Sequence, residues 1–224
     1  MALTVPDSLP SGASKGEGSS YQILSDKLPN DFYVWYEPIT QRRFPYFTIL
    51  APEFGLLILE VVGWFSHQIL SADSHYFIIK SQIEETERTE VQPPPLAIPG
   101  RRMRKRSRIV PNVQQSHLQQ ESPLQQGYHY LNQLLNKLQS YQILCQPNGL
   151  VFPIGVGAVL SNITVNQARE KSIYNLLNEH QVIYREEFLA WNDISQANLI
   201  SRLKKLFTNR FDFLPLTPDQ VETI

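Results

Sequence analysis

The chain has 224 residues, 42% of them hydrophobic and 18% charged, with a formal net charge of −1. That is enough apolar material for a self-sufficient core, and a bulk charge that points to no particular partner. Cys145 is the only cysteine, which excludes an intramolecular disulfide and a cysteine-built zinc site and fits a reducing compartment.

Residues 1–15 are rich in Ser, Gly and Pro and lack the apolar core of a signal peptide, so a disordered tail is expected. An amphipathic helix is expected from Glu17 to Leu28, ended by Pro29. Three segments rich in β-branched and aromatic residues follow: FYVWY at 32–36, YFTIL at 46–50 and GLLILEVVGW at 55–64. The turn-rich stretches between them predict a three-stranded antiparallel meander, which HYFIIK at 75–80 is expected to extend. The most apolar run, Phe54 to Phe65, is interrupted by Glu60 and is too short and too charged to span a bilayer. A cytoplasmic protein is expected.

Residues 81–121 lose apolar periodicity and read as a long insertion or linker, of the kind that is functional or disordered. Within it, RRMRKRSR at 101–108 holds six of the 20 Lys and Arg, leaving 14 basic against 21 acidic residues elsewhere. A strongly basic segment is thus set on an acidic body. Leu124, Tyr128, Leu131, Leu134, Leu135 and Leu138 recur at helical spacing within 122–144, with Ser122 and Pro123 as N-cap and first helical residue. GVGAVL at 155–160 reads as a buried strand, Thr164 to Leu177 as helical in part, VIYREEF as strand and Ser195 to Phe207 as amphipathic helix. LTPDQVETI at 216–224 carries helix-start signals in Thr217 and Pro218 but little helix after them, which suggests a chain cut before a further module.

Helix, three-strand meander, helix, strand is the core order of the PD-(D/E)XK nucleases. Such enzymes hold Mg²⁺ with an Asp opening the second strand and a Glu late in the third, and a Lys two residues later shares that face. PYFTILAPEFGLLILEVVGW at 45–64 resembles the frame "ADFVIL…GLLVLEVKGW" of nuclease-related (NERD) domains, which precede bacterial superfamily I DNA helicases. Pro123, Leu124, Gln126 and Tyr130 resemble the family's Gln-containing helix, and FPIGVGAVLSNIT at 152–164 resembles "FPWGYGVVFPNIT". Gly16 with Glu17 resembles the start of the family's first helix.

The resemblance implies a restriction-endonuclease-like α/β fold, a central mixed sheet flanked by helices, over 16–164, with a C-terminal α/β extension at 165–224. Set against the family pattern, two of the three central positions depart. Tyr46 stands where the family has its metal-binding Asp and Val62 where it has Lys, so Glu60 alone remains. A phenol is a poor Mg²⁺ ligand at neutral pH, and valine can neither carry charge nor hold water. No cofactor is therefore expected, with Mg²⁺ at Glu60 in the case of residual activity. Glu60 is otherwise expected to pair with Gln126 or Tyr46, Glu17 to serve as a helix N-terminal acid, and Gln126 and Tyr130 to pack α-helix on sheet. Arg101, Arg102, Arg104, Lys105, Arg106 and Arg108 are the expected nucleic-acid contacts, with a helicase module as a further partner. Two other readings stay open. One is an active metal-dependent nuclease whose displaced site draws on Asp31, Glu37 or Glu53; the other is an interaction remnant of a split helicase.

Overall fold

The computed structural model describes residues 1–37, 46–80, 117–209 and 211–224. The basic run 101–108, and the expected linker up to residue 116, lie outside the described residues. In chain order the elements are β1 (Leu3–Val5), α1 (Lys15–Lys27), β2 (Tyr33–Glu37), β3 (Tyr46–Ala51), β4 (Gly55–Val62), β5 (Ile69–Ala72), β6 (Tyr76–Lys80) and β7 (His117–Glu121). They continue with α2 (Pro123–Leu138), β8 (Cys145–Gln146), β9 (Gly149–Leu150), β10 (Ile154–Leu160), α3 (Val165–Glu170), β11 (Val182–Tyr184), α4 (Arg185–Ala190), α5 (Gln196–Lys204) and α6 (Pro218–Thr223).

The fold is α/β: a six-stranded mixed sheet in the order β1-β2-β3-β4-β10-β11, flanked by helices. β2, β3 and β4 form the expected antiparallel meander, and β10 pairs in parallel with β4. All eight residues of β4 are buried. A strand covered on both faces reads as a continuous apolar run, and GLLILEVV does so except at Glu60. Alternation divides its side chains between two layers. Leu57, Leu59 and Val61 meet Ile23 and Leu24 of α1, Phe188 of α4 and Leu199 and Leu203 of α5. Ile58 and Val62 meet Leu124 of α2, while Leu56 meets Leu138 at the other end of that helix. α2 therefore lies across β4 and β10, running opposite to β4.

Small residues set how closely these layers approach. A Cβ at Gly127 would lie 2.5 Å from Val156 Cγ1, so α2 can sit directly on β10. Cβ atoms at Gly155 and Gly157 would lie 2.8 Å from the Phe207 and Leu206 side chains, so the GVG of β10 is a packing feature for the segment after α5.

Several expectations are corrected. The amino-terminal fifteen residues contain β1, parallel to β2 and tied by Ala2 N–H to Ser25 O and Leu3 N–H to Phe32 O. The segment at 75–80 does not extend the meander, because the chain turns after Trp64 and Phe65 and β6 joins β5 and β7 in a separate three-stranded sheet. Phe77 of that sheet packs on Trp64, ring centroids 5.4 Å apart. β7 falls in the stretch read as structureless; its side chains are polar and mostly exposed, and only its ladder with β6 makes it a strand. The helix expected to reach residue 144 ends at Leu138, where Ser140 donates its N–H and O–H to Lys137 O and diverts the backbone. In VIYREEF only Val182–Tyr184 is strand; Glu186 and Glu187 open α4, acidic groups favoured in a first helical turn. β11 and α4 also join the main sheet and its core, so the segment after residue 164 is built into the same body. No helix among the described residues is long and apolar enough to cross a membrane.

Candidate functional site

Glu60 lies two residues from the end of β4, on the face that α2 covers, flanked in register by Tyr46 of β3 and Ala158 of β10. It is 1% exposed, and its Oε1 has no hydrogen-bond partner among the described residues. Burial is the largest influence on its titration. The charges of Glu17 and then Glu121 add to it, and together they hold the carboxyl well above the ordinary carboxylate range.

Glu17 is the third residue of α1, in a reciprocal capping box with Ser14. Its Oε2 accepts from Ser14 N–H at 2.7 Å and from the Tyr36 hydroxyl at 3.3 Å. It is therefore a helix N-terminal acid, as expected, with a buried tyrosine as additional donor. Gly16 permits this docking, since a Cβ there would lie 2.5 Å from Ser161 Oγ, and that hydroxyl is fixed by donation to Val62 O at 3.0 Å. Burial first, and the Glu17 charge second, raise the Tyr36 phenol above its ordinary pKa. Tyr36→Phe is expected to destabilise the fold by about 1–3 kcal/mol, because buried Glu17 loses a donor. An unchanged urea midpoint would show that this hydrogen bond contributes nothing net.

Gln126 does not pair with Glu60 through its amide N–H; its Nε2 donates to Glu121 O at 3.0 Å. The reason is that β7 delivers the Glu121 carbonyl to the first turn of α2, where it competes for that donor. The Glu121 carboxylate meets His129 Nδ1 at 2.9 Å. Tyr130 is partly buried against the apolar cluster that includes Val62, Trp64 and Phe77. Val62 is 1% exposed. Of the acidic residues weighed as displaced ligands, Asp31 and Glu53 lie toward the opposite end of the meander, where Tyr33 pairs with Leu50 and Ala51 with Gly55. Glu37 is in the same cross-strand row as Tyr46 and Glu60, two strands from Glu60 and so about 10 Å away along the sheet.

Tyr36 and Glu121 are the participants that sequence reasoning missed. Tyr36 has a weak signal, the alternation of FYVWY. Glu121 has none, since its position depends on the long-range pairing of β6 with β7.

The residues do not fit a hydrated Mg²⁺. That ion takes oxygen ligands in near-octahedral geometry and keeps several waters. Here a single carboxyl, that of buried Glu60, stands at the expected place, and the expected Lys position is an apolar side chain in a packed cluster. Compared with known proteins, the chain matches no family model, no curated protein and no solved structure.

Proposed function

We propose that this chain is a nuclease-related module that has lost its metal chemistry and engages nucleic acid for a helicase-associated, DNA-processing protein. The observation that carries the reading is Glu60. It stands at the end of β4 beside Tyr46 and close to the charge of Glu17, in a core whose order is α1-β2-β3-β4-α2-β10 with β4 and β10 parallel. This is the order of the PD-(D/E)XK core, with its acidic residue retained and its Asp and Lys positions occupied by Tyr46 and Val62.

What remains for such a module is attachment, and the basic run supplies it. Arg101, Arg102, Arg104, Lys105, Arg106 and Arg108 can displace counterions from phosphates. Contact of that kind positions a protein without reading sequence. Binding of duplex DNA is expected to weaken with salt, log K against log salt sloping by as much as about −5 for six contacts. Replacing all six by Ser is expected to remove the salt-dependent binding. A wild-type chain with no affinity at low salt, or one whose affinity survives the replacement, would overturn this part of the reading in favour of an interaction remnant.

A further inference from the structure

At the turn between β3 and β4, remote from Glu60, the structure has a cavity of about 410 Å³ lined by Phe54, Phe207, Phe211, Phe213 and Pro153, together with Glu53, Asp212 and Lys204. The volume is that of a small-molecule site. Phe54 and Phe207 are buried and meet edge to face with centroids 5.2 Å apart, giving a rigid floor. Phe211 is 43% exposed and meets Phe213 at 6.3 Å, giving an aromatic side. Glu53 and Asp212 are exposed, and neither makes an ion pair or side-chain hydrogen bond among the described residues.

From this lining we propose that the cavity binds an organic cation: a primary ammonium or guanidinium group on an apolar or aromatic body. The apolar body fits the phenylalanine floor. The cationic head meets the π-face of an aromatic ring and the two carboxylates, which are attractive to the same charge. Among the described residues the lining carries two carboxylates and the ammonium of Lys204, a balance that favours a cation over an anion of equal size. The C-terminal end of α5, at Lys204, adds the negative end of a helix dipole on the same side. This site is independent of the nuclease-related reading.

The test uses the full chain and three probes of matched size: phenethylammonium, phenylacetate and 2-phenylethanol, titrated by calorimetry or by chemical-shift perturbation. Phenethylammonium is expected to bind, and to bind about tenfold or more tightly than the other two. Glu53→Gln with Asp212→Asn is expected to weaken it by about tenfold while leaving the melting temperature unchanged, since both side chains are exposed. Phe211→Ala is expected to weaken all three probes. Absence of phenethylammonium binding, equal binding of the three probes, or affinity indifferent to the double substitution would each overturn the proposal.

Discussion

Glu60→Gln is expected to stabilise the protein at neutral pH, by an amount that grows with pH. The sign follows from proton linkage. In the unfolded chain this carboxyl titrates near its ordinary value of 4.5, whereas in the fold burial and the charges of Glu17 and Glu121 raise it well above that. Between the two values the native state holds a proton that the unfolded state has released. Stability from this group is thus full below about pH 4.5 and declines as pH rises toward the folded pKa. Gln has nearly the shape of a protonated Glu and does not ionise, so it removes that decline. Urea unfolding at a series of pH values should show the two proteins nearly alike in acid and the variant increasingly the more stable above it. A difference that stays constant with pH would mean that the Glu60 carboxyl is not raised.

Gly55→Val is expected to be the most damaging single substitution in the sheet. Gly55 opens β4 with φ +87, and a Cβ there would lie 2.6 Å from Pro153 O. That oxygen accepts the Leu56 N–H at 3.1 Å and so helps lock β4 beside β10. A β-branched residue is a genuine outlier at positive φ. Backbone strain alone costs on the order of 1–3 kcal/mol, and the clash with a backbone atom adds to it. A loss of about 4 kcal/mol or more would lower the melting temperature by about 10 °C for a chain of this size. A melting temperature within about 2 °C of wild type would show that the β4–β10 junction adapts freely.

These two residues also mark what could be read in the sequence. The meander and the helix over it were legible because their apolar residues recur with a clean period. β7 was not legible: HLQQE has no apolar alternation, and its strand character comes from pairing with β6 across 36 undescribed positions. β1 was hidden in a Ser- and Pro-rich segment, since three residues carry too little pattern against two tertiary hydrogen bonds. Glu60 was identifiable as a candidate from its place in the frame. Its burial was not, because the layer that covers it is α2, and neither was the partner of Gln126, which is decided by where β7 ends. Val62 shows the same limit from the other side. Its identity excluded a catalytic Lys, but only the packing with Trp64, Phe77 and Leu124 shows that its surroundings are apolar too. A charge introduced there would lie within that cluster.

The most direct test of the account is a cleavage assay on the full chain with Mg²⁺ and with Mn²⁺, using single- and double-stranded DNA and RNA, beside Glu60→Ala as control. On the nuclease-related reading proposed above, Tyr46 stands in place of an acid and Val62 in place of a Lys, so the metal and the attacking water would both lack their partners. Losing one such stabilising group costs a factor of about 100–1,000 in rate, although losses within one site need not multiply. The account predicts no metal-dependent cleavage by the wild-type chain and no difference from the variant. Wild-type cleavage that requires the metal and disappears in Glu60→Ala would contradict it.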